Sequence, residues 1–239
     1  QDFIILLYGT PKIGKTTLCA EFPETLFLMF EPGGKALNIW QLEIKNWTHF
    51  KQVLTELENS ARFKTLVVDT ADLCFRMCQA FKLQEMGIKH ASDEDWGKGW
   101  QMIREEFETQ IVRLLKLGRG VIFTSHENMK EIKKPFKDPV TIIKPTLPKQ
   151  ASAVLEPMID IFGYYHYGEH DARLLQIRGS NDVSAGCRLE NNFVGVELID
   201  MGSSAKEAYS NFVKAFNITD AAAPVAKATT KKLVLAKKK

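Results

Sequence analysis

Short apolar runs and amphipathic helical segments alternate along most of this chain. The apolar runs have the length and the β-branched and aromatic content of buried strands. They occupy residues 3–8, 25–30, 63–70, 121–126, 159–167 and 172–178. Strands that alternate with helices predict an α/β domain. A chain of 239 residues is long enough for one such domain with an extension.

Apolar residues that recur at helical spacing predict the helices between these strands. The helical segments are residues 17–22, 48–57, 72–86, 100–115 and 204–216. Thr48 is the predicted N-cap of the second helix. Ser204 and Glu207 form a predicted capping box for the last helix. Gly118 is the predicted stop of the fourth.

One turn between a strand and a helix carries a specific motif. Residues 9–16 read GTPKIGKT, which matches the pattern G-x-x-x-x-G-K-[ST]. An apolar strand precedes the motif and a helical segment follows it, as in a phosphate-binding loop. The alternative is a glycine turn with a solvated lysine, which this context disfavours. The sequence therefore predicts that the protein binds a nucleoside triphosphate.

The residue types in this loop explain how it would hold phosphate. Gly9 and Gly14 allow turns that aim successive N–H groups at phosphate oxygens. Lys15 is predicted to reach the β- and γ-phosphates, and the Thr16 hydroxyl is predicted to ligate Mg²⁺. Thr17 is a candidate additional phosphate contact. The predicted nucleotide contacts are Gly9, Thr10, Pro11, Lys12, Ile13, Gly14, Lys15, Thr16 and Thr17.

Three other predicted strands end at Glu31, Asp69 and His126. Ligands of open α/β sheets gather at the carboxyl ends of the strands. Asp69 is predicted to hold Mg²⁺ together with Thr16. Glu31 is either the base that accepts a proton from the attacking water or only a carboxylate that starts a turn. His126 is a candidate γ-phosphate sensor, and the alternative is a structural histidine.

Basic residues outnumber acidic ones mainly in two segments of this chain, whose net charge is +3. Residues 128–150 carry six lysines and two acids, and residues 221–239 carry six lysines and no acid, so the remainder carries −7. Residues 128–150 also hold four prolines and are predicted to be a loop without a core. Lysines that neutralise phosphates and a phenylalanine that stacks on a base favour a nucleic-acid loop over a solvated lid. The candidate contacts are Lys130, Lys133, Lys134, Phe136, Lys137, Lys144 and Lys149.

The end of the chain has few large side chains. Residues 221–239 are a predicted flexible tail that follows a predicted ATPase domain of residues 1–220. The tail is a candidate electrostatic tether to DNA or, around residues 233–235, a partner-binding motif. Arg178 is either a surface residue or an arginine finger for the γ-phosphate of a neighbouring subunit.

The location of the protein is also an expectation from the sequence. No apolar run approaches the roughly 20 residues of a membrane helix. The chain begins directly in a predicted strand, so we expect no signal peptide. We therefore expect a cytoplasmic protein without membrane association, located in the host cytoplasm if it is phage-encoded.

The order of the motifs resembles the RecA-like recombinase core. A P-loop is followed by strands that end at Glu31, Asp69 and His126, and then by a basic segment. The stretches YGTPKIGKTT, LFLMFEPGG and TLVVDTADL are most similar to short phage-encoded RecA-type ATPases that promote single-strand annealing. The resemblance covers roughly residues 3–216. It implies a RecA-like P-loop NTPase fold, an α/β fold with a mostly parallel sheet and helices on both faces.

The same resemblance implies roles for particular residues. Glu31 would be the catalytic base, and His126 would replace the amide that usually senses the γ-phosphate. Residues 87–99 and 128–150 would match the two DNA-binding loops, although the first of them is acidic here. Arg178 would act across a subunit interface.

The expected function is DNA-dependent ATP hydrolysis, with ATP and Mg²⁺ as ligands. The expected partners are single-stranded DNA and further copies of the chain in a ring or filament, in phage-type recombination or annealing. One alternative is an annealing module that uses nucleotide only as a structural ligand. Another is a different P-loop enzyme, such as a helicase loader or a small-molecule kinase.

Overall fold

The computed structural model describes residues 2–33, 37–132 and 140–219. Within these ranges the strands are β1 (Ile4–Gly9), β2 (Thr25–Met29), β3 (Trp40–Glu43), β4 (Thr65–Asp69), β5 (Gly120–Ile132), β6 (Val140–Pro145), β7 (Ile161–Tyr167), β8 (Arg173–Gln176), β9 (Gly186–Cys187) and β10 (Leu198–Asp200). The α-helices are α1 (Lys15–Ala20), α2 (Trp47–Glu58), α3 (Ala71–Met86), α4 (Lys98–Leu115), α5 (Lys149–Leu155) and α6 (Ala205–Phe216). Single turns of 3₁₀ helix occur at Ala91–Asp93, Asp95–Gly97, Glu156–Met158 and Glu169–Asp171.

One mixed sheet organises these elements. Its strand order is β10-β8-β7-β1-β5-β4-β2-β3, with β6 paired to β5 and β9 paired to β7. The six strands from β7 to β3 are parallel. The antiparallel strands β8 and β10 extend the other edge. The loop after β1 therefore lies at the carboxyl edge of the parallel strands, where β2, β4, β5 and β7 also end or leave the sheet.

The sheet is covered on both faces. One apolar core lies under α2, α3, α4 and α5, and a second lies under α1 and α6. Side chains alternate along β1, so that Leu6 belongs to the first core and Ile5 and Leu7 belong to the second. Strands buried on both faces need continuous apolar sequence, and this explains why the central strands were predictable.

A pair of helices extends beyond the carboxyl edge. The indole Nε1 of Trp47, at the start of α2, donates a hydrogen bond to Glu106 at 2.7 Å. The eight residues of α4 before Glu106 therefore continue past the start of α2 by about 12 Å. The helix α3 packs against α4, with ring centroids of Phe75 and Phe107 5.1 Å apart. We call the connection between these helices, residues 87–97, the helical tip.

The predicted loop at residues 128–150 is wrong in its described part. Strand β5 continues past the sheet to Ile132 and pairs with β6 in antiparallel fashion, from Glu127 opposite Pro145 to Ile132 opposite Val140. We call these paired strands, residues 127–132 and 140–145, the ribbon. Residues 140–143 are β-branched, and their strand preference outweighs the flanking prolines, which lie at the end of β6 and before α5.

Helix ends and edge strands account for the other differences. The N-cap of α2 is Asn46, whose side chain accepts from the His49 N–H at 2.8 Å, so the prediction of Thr48 is wrong. Ser204 caps α6 as predicted, with its hydroxyl accepting from the Glu207 N–H at 3.2 Å. The short edge strand β3 is mostly exposed and was not predicted. None of the described helices combines the length and apolar content needed to cross a membrane.

Candidate nucleotide-binding site and basic ribbon

The backbone of the P-loop needs glycine at both ends. Gly9 has a φ of 155°, and a Cβ there would collide with the carbonyl oxygen of Tyr165 on β7. Gly14 has a φ of 111° and immediately precedes α1. Both conformations disfavour residues with a Cβ. The two glycines therefore let the loop pack against β7 and turn directly into the helix.

Lys15 lies inside the loop. Its side chain is buried, and its Nζ donates to the carbonyl oxygens of Gly9 at 2.8 Å and Thr10 at 3.0 Å. Burial lowers the pKa of Lys15, and the carboxylates of Asp69 and Glu127 counteract that change. Its direct partners are neutral carbonyls, so the lysine retains a charge that an incoming anion can neutralise.

A hydroxyl and a carboxylate meet beside the lysine, as predicted for Mg²⁺. The Thr16 hydroxyl donates to Asp69 Oδ2 at 3.0 Å. A second hydroxyl, that of Thr124 on β5, donates to Asp69 Oδ1 at 2.6 Å and fixes the carboxylate. Carboxylate and hydroxyl oxygens suit a hard divalent cation, so these residues fit Mg²⁺. Thr124 was not predicted, because its role depends on β5 lying next to β4.

Glu31 and His126 also meet at this edge. His126 Nε2 lies 4.0 Å from Glu31 Oε2, and both side chains are partly exposed. Burial raises the pKa of Glu31, the negative charge of Asp69 adds to this, and His126 opposes it. His126 lies opposite Gly9 in the register of β5 with β1. The two residues that were predicted to act on the attacking water and the γ-phosphate are therefore neighbours.

The ribbon is attached to α3 through an acid that was not predicted. Asp72, in the first turn of α3, is buried and accepts from the Thr146 hydroxyl at 2.5 Å. The Thr146 N–H donates to the His126 carbonyl at 2.9 Å. These contacts join the first residue after β6 to both the carboxyl edge of the sheet and the helix that follows Asp69.

A second unpredicted acid attaches the ribbon to the P-loop. Glu127, the residue after His126, accepts from the Thr10 hydroxyl at 3.0 Å through Oε1. Its Oε2 accepts from the Tyr164 hydroxyl at 2.7 Å. The P-loop, β5 and β7 are thereby joined through one carboxylate.

The other predicted P-loop residues lie as follows. Ile13 is buried in the core beneath the loop. Pro11 and Lys12 are exposed, and Lys12 has a left-handed φ of 67°. The Thr17 hydroxyl donates to the Gly14 carbonyl at 2.8 Å. Thr17 thus supports the loop conformation, and its contact with phosphate stays a prediction.

Arg178 does not join the site of its own chain. Its Nη1 donates to the Cys187 carbonyl at 2.9 Å. Strand β8 is antiparallel to β7 with Gln176 opposite Tyr164, so Arg178 lies further towards the amino edge of the sheet. Its action on a neighbouring subunit stays a prediction.

The ribbon brings two of the predicted lysines to one face. Lys130 pairs with Ile142 and Asn128 pairs with Lys144, so the two lysines lie diagonally across the ribbon on the same side. Lys149 is exposed at the start of α5. The remaining candidates lie outside the described residues: Lys133, Lys134, Phe136 and Lys137.

A P-loop with an enclosed lysine and a Thr–Asp pair, at the carboxyl edge of a mostly parallel sheet, defines a P-loop NTPase domain. A family model described as an AAA domain (AAA_24) matches residues 2–189. The chain belongs to this AAA domain family. The predicted α/β P-loop NTPase fold, with helices on both faces of the sheet, is therefore confirmed.

Two further similarities were found. The SPbeta prophage-derived uncharacterized protein YorG of Bacillus subtilis (strain 168) is 26% identical over 164 residues, which are 66% of this chain and 47% of the relative. The chain therefore matches about half the length of that relative. The crystal structure of the KaiC-like protein PH0186 from Pyrococcus horikoshii OT3 aligns with a TM-score of 0.48 and 13% identity, covering 86% of this chain and 88% of that one.

Proposed function

We propose that this protein hydrolyses ATP with Mg²⁺ and acts on single-stranded DNA in phage-type recombination or annealing. The observation that carries the proposal is the course of β5. This single strand supplies Thr124 and His126 to the nucleotide site and continues without interruption into the ribbon that carries Lys130.

The nucleotide site provides the groups that phosphoryl transfer needs. Thr16 and Asp69 would hold Mg²⁺, which, when bound, neutralises charge on the phosphates. Lys15 supplies a further positive charge from inside the loop. Glu31, with its raised pKa, is suited to accept a proton from the attacking water. His126 lies next to Glu31 and would contact the γ-phosphate.

The ribbon supports the nucleic-acid part of the proposal. Lys130 and Lys144 share a face, and lysines on one face can neutralise successive phosphates of a flexible strand. The phage setting is supported by the prophage origin of the relative YorG, of which the chain matches about half. Assembly into a ring or filament, with Arg178 acting on the neighbouring site, completes the proposal.

ATP hydrolysis with and without single-stranded DNA, at low and high salt, tests this function. We expect DNA to stimulate hydrolysis and high salt to remove the stimulation, because lysine–phosphate contacts weaken with salt. Glu31→Gln should abolish hydrolysis and retain nucleotide binding. Hydrolysis that is indifferent to DNA would favour another P-loop enzyme. DNA binding without any hydrolysis would favour an annealing module.

A further inference from the structure

Both strands of the ribbon are attached to the residues that flank Gly9. On one side, the Tyr8 hydroxyl lies 3.2 Å from the Ile143 carbonyl of β6 and 2.7 Å from the Ser184 carbonyl. On the other side, the Thr10 hydroxyl donates to Glu127 of β5 at 3.0 Å. The attachment through Tyr8 is neutral, and the attachment through Thr10 ends on a carboxylate.

Glu127 is held firmly in this position. Its second oxygen accepts from the Tyr164 hydroxyl, and the Tyr164 ring stacks on Tyr8 with centroids 5.0 Å apart and an interplanar angle of 26°. The Glu127 charge also acts on Lys15. Burial lowers the pKa of this lysine, and Glu127 is one of the carboxylates that counteract the change. A carboxylate thus lies where it hydrogen-bonds a P-loop hydroxyl and interacts with the phosphate-binding lysine.

A negative charge in that place is unfavourable for phosphate. A triphosphate in the loop would compete with Glu127 for the positive field of Lys15 and would repel the carboxylate directly. Glu131 provides the contrast, because it belongs to the same strand and faces Thr141 near the end of the described ribbon. The two acids carry the same charge, and Glu127 alone of the pair touches the P-loop.

We propose that Glu127 is a positioning residue that reports the charge of the bound nucleotide to the ribbon. Without nucleotide, the Thr10–Glu127 hydrogen bond holds the first ribbon residues of β5, which we call its root, against the P-loop. A bound triphosphate repels Glu127 and releases that root, while the neutral attachment of Tyr8 to β6 persists. The inference rests on the nucleotide-binding part of the proposed function.

Two measurements on the same variants test the inference. The first is the affinity for a fluorescent, non-hydrolysable ATP analogue with Mg²⁺. Glu127→Gln keeps the shape and one acceptor oxygen, replaces the other oxygen with an NH₂ donor that a neighbouring hydroxyl can accept from, and removes the charge. We therefore expect it to bind the analogue roughly three- to tenfold more tightly than the wild type. Glu131→Gln is the matched control and should bind like the wild type.

The second measurement is amide hydrogen exchange of residues 127–132 and 140–145, with and without the analogue. In the wild type and in Glu131→Gln, the analogue should speed exchange at the root of β5. In Glu127→Gln, this response to nucleotide should be lost. Thr10→Val breaks the same hydrogen bond from the P-loop side, so its ribbon should exchange without nucleotide as fast as the wild-type ribbon does with it.

The outcomes separate this inference from the proposed function. A wild-type protein that binds no nucleotide overturns both. Nucleotide binding that leaves ribbon exchange unchanged overturns the inference alone. The inference is also wrong if Glu127→Gln binds the analogue no more tightly than the wild type and its ribbon still responds. If Glu127→Gln does not fold, Thr10→Val decides. A ribbon that stays protected from exchange in Thr10→Val would show that the Thr10–Glu127 hydrogen bond does not hold it.

Discussion

The ribbon and the helical tip both extend beyond the carboxyl edge of the sheet, yet they differ in charge and in attachment. The ribbon presents Lys130 and Lys144 on one face and is hydrogen-bonded to the P-loop through Glu127. The helical tip contains three consecutive acids, residues 93–95, followed by the fully exposed Trp96.

The helical tip is held by hydrogen bonds of its own and by packing against the start of α4. The Asp93 carboxylate accepts from the N–H groups of His90 at 2.8 Å and Lys89 at 3.2 Å. Ala91 is buried, and Gly99 lies so close to its carbonyl that a Cβ would not fit. The resemblance to recombinases assigns DNA binding to both projections. Their charges and contacts favour the ribbon over the helical tip for the proposed DNA binding and for the proposed response to nucleotide.

The largest expected effect is on the free energy of unfolding, because the helical tip is carried by two helices of the apolar core and the ribbon is not. Phe107 is fully buried between Phe75 and Trp47, where α3 and α4, the helices that carry the helical tip, pack in the core. Phe107→Ala should lower the free energy of unfolding by about 3–5 kcal/mol, because it leaves a cavity where two helices pack. Chemical denaturation measures this change. Met129→Ala on the exposed ribbon is the control and should stay within about 0.5 kcal/mol of the wild type. A similar loss from both variants would contradict the comparison.

The next effect concerns DNA affinity. Lys130→Glu combined with Lys144→Glu should weaken single-stranded DNA binding roughly 100-fold at low salt and flatten its salt dependence, because two phosphate contacts become repulsive. Fluorescence anisotropy with a labelled oligonucleotide measures both quantities. Lys89→Glu in the helical tip combined with Lys98→Glu in the adjoining first turn of α4 makes the same charge change and should have a much smaller effect. Equal losses in the two double variants would assign DNA to both projections.

A smaller, pH-dependent effect is expected at the site between the projections. The folded-state pKa of Glu31 is raised by burial and by Asp69, so the folded protein holds this proton more tightly than the unfolded chain does. The contribution of Glu31 to stability therefore falls as pH rises through its raised pKa. Glu31→Gln removes that loss and should raise the thermal midpoint at about pH 8, with little change at about pH 4. Glu56→Gln on the exposed face of α2 should show no such difference. A Glu31→Gln midpoint raised equally at both pH values would rule out this electrostatic origin.

The smallest effect is expected from Trp96. A base stacked on an aromatic side chain contributes about 1–3 kcal/mol, which would appear as at least a fivefold loss of DNA affinity on substitution with alanine. Because three consecutive acids immediately precede Trp96 in the chain, we expect Trp96→Ala to change the affinity by less than about threefold. Trp96→Phe keeps an aromatic ring and serves as the control. A loss of tenfold or more in Trp96→Ala, restored in Trp96→Phe, would show that the helical tip shares the bound strand.

The sequence predicted the parts of the site that depend on local pattern. A glycine-rich turn between an apolar strand and a helix identified Lys15 and Thr16 without reference to the rest of the fold. Apolar runs that end in a polar residue located Glu31, Asp69 and His126. Each of these signals lies within a few neighbouring residues.

The unpredicted residues depend on which segments meet in space. Thr124 matters because β5 lies between β1 and β4, and that order does not follow from chain order. Asp72 and Glu127 act through Thr146 and Thr10, which are distant from them in the chain. The ribbon itself was missed because the prolines and lysines of residues 128–150 are typical of loops, although the register aligns two of those lysines, Lys130 and Lys144.

The continuous course of β5 also restricts how this region can change in evolution. Side chains of a strand alternate between its two faces, so His126 and Lys130, which are four positions apart, belong to the same face of β5. One inserted residue between them would turn Lys130 to the opposite face or force a bulge, and two would restore its orientation. Related chains that keep both the histidine and the basic face should therefore differ in this interval by even numbers of residues.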